Sequence, residues 1–388
     1  MQTFKEKKWD NLKESLAYFS NFVLIPYIRR IIRFFALPYC YFYMVNWEEC
    51  KAGRLQVASD FLYIFFVLKY FPDNYSVCRF WEKSRREWSF YYGSNYDPFQ
   101  RRQLRKFVQK KEHVIIFEDK DICYQLCRAN EFPLPVQIGR ADNKKLCVEL
   151  LNEYFQSQRD GKIIIKPVGG SAGSDILLAW QENNLLKLKN NNDLYDINSM
   201  PFCGPAVLQE VLIQHHVLDQ LVSTSVNTIR IVTMLGDNDN VIFLGAYIRF
   251  GVGGSFLDNT SQGGVPVNID IQKGCLAKYG FDFSTKKHTQ HPDTGVVFEG
   301  INIPLWQDVL KLAKKIQRCF YFHKLMGHDI AITENGPVII ELNSIYDNVG
   351  LERSCGPILQ NDAVLKQYMK YNLLINKKQV ELYNLLVG

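Results

Sequence analysis

The sequence predicts a protein of mixed helices and strands, α/β or α+β in class, behind a helical N-terminal extension. Three observations predict it. Residues 4–107 alternate aromatic, basic and apolar positions at helix-like spacing, punctuated by Pro26, Pro38, Pro72 and Pro98. After His113 the texture changes to short β-branched runs separated by helical stretches and glycine turns. The 388 residues, 47% hydrophobic and 22% charged, have the composition of a globular chain with room for two or three domains, which argues against a disordered, collagen-like or coiled-coil protein.

The extension holds the basic excess. The chain carries a net charge of +6, yet residues 1–111 contain 20 Lys and Arg against 10 Asp and Glu, leaving 26 against 30 beyond. Residues 21–45 set three arginines among aromatics, a composition that could lie in an interface beside anionic lipid, although a strongly aromatic helix more often packs on its own protein, here as a buried helix pair with an arginine rim. Arg29, Arg30 and Arg33 interrupt one apolar stretch and Lys69 ends another, so none reaches the roughly 18 clean residues of a membrane span. Arg101, Arg102, Arg105, Lys106, Lys110 and Lys111 read as a solvated helix face; no DNA or RNA motif accompanies them, which argues against a nucleic-acid partner. The ten cysteines include no C-x-x-C pair and no clustered histidines join them, so zinc is unsupported. With no signal peptide, they point to free thiols in a reducing cytoplasm.

Within the second region, residues 114–117 (VIIF) read as a strand by β-branching. Residues 119–130 read as a helix capped by Asp119 and stopped by FPLP at 132–135. A helix near 144–158 leads into a strand at 162–166 (KIIIK), a glycine loop, and a strand at 176–180 (ILLAW). Further strands are expected at 206–213, 227–235, 241–250 and 338–342, a long helix at 305–326 and helical turns over 362–387. Residues 327–343 read as a hairpin around Glu334, Asn335, Gly336 and Pro337.

Lys166 precedes the loop Gly169, Gly170, Ser171, Ala172, Gly173, Ser174. Small residues let backbone N–H groups approach phosphate oxygens while the lysine adds a point charge. The spacing is neither a P-loop nor a dinucleotide fingerprint, and a flexible hairpin tip explains the glycines equally well by themselves. The hairpin adds hard oxygens: Asp329 on one run, and Glu341 and Asn343 two apart on the other and so on one face. Such a set suits magnesium, which takes a few carboxylates plus substrate phosphates. Backbone groups near Gln209, Glu210, Val211 and Leu212 offer edges to a purine, and Arg230 inside NTIRIVT calls for an anionic partner such as phosphate.

In chain order, Lys120, Lys166 with its loop, Gln209-Glu210, Arg230, Asp329 and Glu341-x-Asn343 resemble the ATP-grasp superfamily over roughly residues 112–350. More narrowly, Asp119-Lys120, NTIRIVT, DNTSQGG at 258–264, HPDTG at 291–295 and GHDIAI with IIELN resemble the sugar-transfer-associated ATP-grasp branch, associated with cell-surface polysaccharide or capsule biosynthesis. The resemblance implies an α+β ATP-grasp fold, two α+β subdomains clamping ATP, in a domain at 111–350 with its lid at about 145–212. Residues 1–110 form the extension and 351–388 a helical tail. It implies Lys120 and Lys166 near the α- and β-phosphates, the 169–174 loop as lid, and Arg230 facing the terminal phosphate. Asp329, Glu341 and Asn343 match ligands of two magnesium ions, with Glu341 bridging.

Residues 1–110 do not resemble the Rossmann-like pre-domain of many ATP-grasp ligases, so the acceptor pocket does not carry over. Arg249, Asn259, Gly263, Gly264 and His291 are acceptor candidates because they lie between the ATP motifs; a lone histidine such as His291 is more often structural or at the surface than a base, and His215 and His216 read as scaffold. The implied activity is that of an ATP-dependent carboxylate–amine ligase that forms an acyl phosphate and joins an amino acid or other amine to a uronic-acid-containing glycan or its precursor. It would work in the cytoplasm, at the inner face of the membrane through the N-terminal region. A kinase acting on a hydroxyl and a non-catalytic nucleotide-binding scaffold are the other readings, the scaffold disfavoured by the full set of two lysines, Arg230 and the acidic hairpin.

Overall fold

The computed structural model describes residues 24–94, 104, 106–157, 160–170, 175–202 and 204–387. The chain divides into two compact units, one combining Met1–Val108 with Asp347–Gly388, the other formed by Gln109–Tyr346.

The first unit is helical. Proline suits the first turn of a helix because its missing N–H has no partner there, and α1 (Ile25–Phe35) begins on Pro26. The next helix, α2 (Arg54–Tyr63), runs on through a π-helical turn at Ile64–Leu68 and stops where Lys69 enters the left-handed region at φ 68°. Val57, Ile64, Leu68, Tyr70, Tyr75 and Phe80 form a buried aromatic core. Inside it, Asp60 accepts the Tyr75 hydroxyl at 3.0 Å and pairs with Arg85 at 2.8 Å. The helices at Asn348–Cys355, Asp362–Lys370 and Lys377–Leu386 complete the unit, capped by the side chains of Asp347, Asn361 and Asn376. Glu352 accepts the backbone N–H of Tyr92 at 2.7 Å, and its burial pushes its carboxyl up to about 8. Among the described residues no helix is long and apolar enough to cross a membrane.

The second unit is α+β, with two antiparallel sheets. One of its helices, α3 (Lys120–Ala129), starts at Asp119, whose carboxylate accepts the N–H groups of Asp121 at 3.0 Å and Ile122 at 2.9 Å. Then come β1 (Gln137–Ala141), α4 (Lys144–Ser157), β2 (Lys162–Pro167), β3 (Leu177–Glu182), β4 (Leu185–Lys189), β5 (Leu194–Asp196) and β6 (Ala206–Glu210). These strands make a six-stranded sheet in the order β1-β6-β2-β3-β4-β5. Leu151 and Phe155 of α4 pack on Ile163, Ile165 and Leu208, the inward side chains of alternating strand positions.

After α5 (His216–Leu221), the chain supplies β7 (Ile229–Leu235), β8 (Val241–Phe250), β9 (Val265–Ile269), β10 (Leu276–Phe281), β11 (Lys287–His288), α6 (Trp306–Cys319), β12 (Leu325–Thr333) and β13 (Gly336–Asn343). The seven-stranded sheet runs β11-β10-β9-β8-β7-β12-β13. Val309, Ala313 and Ile316 of α6 bury against Ile231, Ile248 and Ile330, a contiguous apolar core.

Two sequence expectations change. Residues 114–117 are not a strand: Ile115–Glu118 is a short helix whose Phe117 meets Phe320 at 5.3 Å, and a four-residue apolar run has no period by which to tell the two apart. The long helix ends at Cys319 rather than 326, because the chain reverses there, Gln317 donating to the His323 carbonyl at 3.0 Å, and Leu325 already belongs to β12.

Candidate functional site

The site grows from the ends of β2, β6, β12 and β13 and from the first turn of α3, all in the second unit. Lys166, at the end of β2, donates to Gln209 Oε1 on β6 at 3.1 Å. Desolvation lowers its pKa, partly offset by the Glu341 carboxylate and reinforced by Lys120, so these three charges share one neighbourhood. Lys120 donates to the Gly170 carbonyl at 2.9 Å and lies 3.7 Å from Glu341 Oε1. Gly170 has φ 117°, a backbone state that L side chains rarely adopt, so glycine is needed where the loop leaves β2. Gly169 beside it is exposed. Ser171, Gly173 and Ser174 lie outside the described residues.

Lys120, Lys166, Gln209 and Glu341 line one cleft together with the largely apolar side chains of Phe117, Cys123, Tyr124, Cys127, Leu134, Pro135, Val207, Ile339, Ile340 and Leu342. An apolar slot with a few convergent polar groups is the usual form of a small-molecule site. The segment after β6 differs from expectation. The N–H groups of Glu210 and Val211 donate to the carbonyls of Val136 and Lys162, each at 2.9 Å, so they are spent within the sheet and are not donors to a purine. Leu212 follows them, half-buried.

Beyond the lysines lies a charge network. Asp329 on β12 is in register with Arg230 on β7 and with Glu341 on β13. Both carboxylate oxygens of Asp329 meet the Arg230 guanidinium, Nη2 to Oδ2 at 2.8 Å. Arg249 Nη2 approaches the same oxygen at 3.4 Å, as does Asn343 Nδ2. Burial would raise the Asp329 carboxyl, but the two guanidiniums outweigh it and hold the group at about 2. With its amide nitrogen turned to Asp329, Asn343 has its carbonyl oxygen to offer elsewhere. Asp329, Glu341 and Asn343 thus sit at neighbouring positions of the hairpin, with the Asp329 oxygens engaged by Arg230, Arg249 and the Asn343 amide.

Among the acceptor candidates, Arg249 and His291 are engaged within the fold. Arg249, 8% exposed, is held by Thr228, by Asp258 at 3.6 Å and by Asp329, and does not present its charge to solvent. His291 is 1% exposed; Nε2 meets the Gly251 carbonyl at 2.9 Å and Nδ1 accepts the N–H groups of Asp293 and Thr294. Both nitrogens are occupied, leaving none for a substrate. Gly263 turns the chain at φ 96°, and a Cβ on Gly264 would sit 2.1 Å from the Asp258 carbonyl. Asn259 is half-buried, its carbonyl accepting the Gly264 N–H at 3.0 Å.

A family model described as sugar-transfer associated ATP-grasp matches residues 99–363, more than half of the chain. The chain belongs to this family. No curated protein matches the sequence of this ATP-grasp chain. Among solved structures it is similar to D-alanine--D-alanine ligase from Bacillus anthracis, with 13% identity, 69% of each chain covered and a TM-score of 0.37. It is also similar to VanG D-Ala:D-Ser ligase from Enterococcus faecalis (12% identity, 69% of this chain and 61% of that one, TM-score 0.38). A third likeness is biotin carboxylase from Campylobacter jejuni (11%, 63% and 45%, 0.37).

Sequence reading missed Cys123, Tyr124 and Cys127, which line the cleft of this ATP-grasp protein from one face of α3. Their i, i+4 spacing was the available signal, but apolar residues at that spacing face a core as readily as a pocket. It also missed Asp258 and Thr228: Asp258 accepts the Thr228 N–H at 2.7 Å and stands behind Arg249.

Proposed function

We propose that the protein is an ATP-dependent carboxylate–amine ligase that activates the carboxylate of a uronic-acid-containing glycan or precursor and joins it to an amino acid or other amine. The convergence of Lys120, Lys166 and Glu341 on one apolar cleft beside the Arg230–Asp329 pair carries this reading. Family membership supports ATP as the phosphoryl donor, and the family's association with sugar transfer supports a glycan acceptor. The enzyme would work in the cytoplasm, at the inner face of the membrane.

In this reading Lys120 and Lys166 hold the nucleotide phosphates, and the cleft's apolar walls take the base and exclude water. Glu341, Asn343 and Asp329 would hold magnesium, which offsets phosphate charge as the anionic acceptor approaches. Arg230, fixed by Asp329, would offer its remaining N–H donors to the transferring phosphoryl group. A carboxylate oxygen of the acceptor attacks the γ-phosphorus, the bond to the β-phosphate oxygen breaks, and ADP leaves. The amine nitrogen then attacks the acyl carbon of the acyl phosphate, the C–O bond to phosphate breaks, and the amide forms as inorganic phosphate leaves and the nitrogen loses its proton.

The test is product balance. A ligase releases ADP and inorganic phosphate in equal amounts, with amide mass appearing only when both uronic acid and amine are present. ADP release with the phosphate retained as an ester on the acceptor would make the protein a kinase, and no turnover across uronic-acid acceptors and amines would favour a scaffold.

A further inference from the structure

We propose that the outward face of α1 and the turn beside it form a docking surface for an anionic lipid bilayer. An amphipathic helix in a soluble protein ordinarily turns its apolar side to the core. Here the arrangement is inverted. Arg30 donates to the Phe65 carbonyl at 2.7 Å and the Lys69 carbonyl at 2.8 Å, where the last turn of the α2 helix leaves its carbonyls unpaired. Its guanidinium also lies 4.9 Å from the Phe65 ring, and that of Arg33 lies 5.3 Å from the Phe71 ring. These contacts set the rotation of α1 and bring its arginine side inward. Ile28, Ile31, Ile32 and Phe35 are consequently 46, 61, 61 and 75% exposed.

The exposed apolar surface continues past α1. Tyr39 and Tyr43 are 61% and 76% exposed, and Phe66, which meets Phe34 at 5.9 Å, is 55% exposed. Contiguous patches of this kind mark interaction sites. Charge identifies the occupant. Between residues 24 and 45 there is no acidic residue, and of the three arginines Arg29 is the exposed one, Arg30 and Arg33 being turned to Phe65 and Phe71; between 61 and 72 Lys69 is the sole charge. Arg29 and Lys69 are exposed. Aromatic and aliphatic side chains flanked by cations match the boundary between acyl chains and anionic headgroups, and Tyr and Phe rings suit that depth. A protein partner would need acids to complement these cations and a flat apolar face as well. Among the described residues no helix is long and apolar enough to cross a membrane. The surface belongs to the first unit and the cleft to the second, and the proposal does not rest on the ligase reading.

Sedimentation of the full chain with phosphatidylcholine vesicles, with and without phosphatidylglycerol, tests it. At low salt, recovery with the anionic vesicles should exceed that with neutral ones by roughly tenfold and fall as salt rises. Ile31→Glu combined with Phe35→Glu should abolish binding, and Arg29→Glu should weaken it. Both variants should melt like the wild type, since the substituted side chains are exposed. Equal recovery on neutral and anionic vesicles would overturn the proposal, as would wild-type binding by the double variant. Analytical ultracentrifugation showing a dimer that the double variant disperses, with no vesicle binding, would assign the face to a second copy of the chain.

Discussion

Arg230 and Asp329 face each other on adjacent strands β7 and β12 and form a buried ion pair, 2.8 Å from Nη2 to Oδ2, inside the seven-stranded sheet. Neither charge would persist there alone, and each sets the other's orientation. Arg230→Ala leaves the Asp329 carboxylate with only its longer contacts to Arg249 and Asn343, for which we expect a loss of about 3 kcal/mol of stability and of all turnover. Arg230→Lys keeps a cation but not the forked donor, so it should fold while turnover falls by about 100-fold. Thermal unfolding and ADP release measure the two effects. A lysine variant with full activity would remove Arg230 from the phosphoryl site.

Lys166 and Glu341 should separate binding from turnover. Lys166 acts on phosphate charge directly, whereas Glu341 acts through the ions it would hold. Lys166→Ala should weaken binding of a nonhydrolysable ATP analogue by about tenfold or more, since a charge-assisted contact is worth about 1.5–3 kcal/mol. Glu341→Gln should retain binding and lose magnesium-dependent turnover. Calorimetric titration decides, and unchanged affinity in the lysine variant would contradict its role.

His328, wholly buried on β12, should make the second unit acid-sensitive. Thr233 gives its one hydroxyl proton to Gln317 Oε1 at 2.7 Å, because Gln317 Nε2 is used on the His323 carbonyl. His328 Nε2 must therefore donate to Thr233 Oγ1, also at 2.7 Å, leaving Nδ1 without a partner in the core. Burial holds its pKa at about 3 against an ordinary 6.5. The folded state thus binds fewer protons than the unfolded one between these values, so stability is full above pH 6.5 and falls as pH drops toward 3, by on the order of 5 kcal/mol at the acid end. In denaturant titrations across that range, His328→Gln should flatten the slope. An unchanged slope would assign the acid sensitivity to other groups.

Elements with a local signal were legible in the sequence. The β12–β13 hairpin was readable because Asn335-Gly336 supplies a turn between β-branched runs, and α3 because Asp119 supplies the cap oxygen. The pairing of Arg230 with Asp329 was not readable, since 99 residues separate partners that only sheet order brings together. Arg230 was expected to seek phosphate; the fold gives it a carboxylate first. The inverted α1 was equally hidden, because its rotation depends on Arg30 reaching carbonyls 35 and 39 residues away.

The glycine pair at 263–264 supplies a further test. A methyl on Gly264 meets the Asp258 carbonyl at 2.1 Å, a contact that backbone on both sides must relieve. Gly264→Ala should cost about 1–3 kcal/mol and shift Asp258, which orients Thr228 and Arg249. Thermal unfolding within error of the wild type would show that the loop relaxes freely.

Only the carboxylate-activating route makes an acyl phosphate, a mixed anhydride that small nucleophiles intercept. Incubation with ATP, magnesium, a uronic-acid acceptor and hydroxylamine in place of the amine should therefore yield ADP and a hydroxamate together, both falling by about 100-fold in Arg230→Lys. ADP accompanied by a hydroxylamine-stable phosphorylated sugar, with no hydroxamate, would contradict the ligase reading.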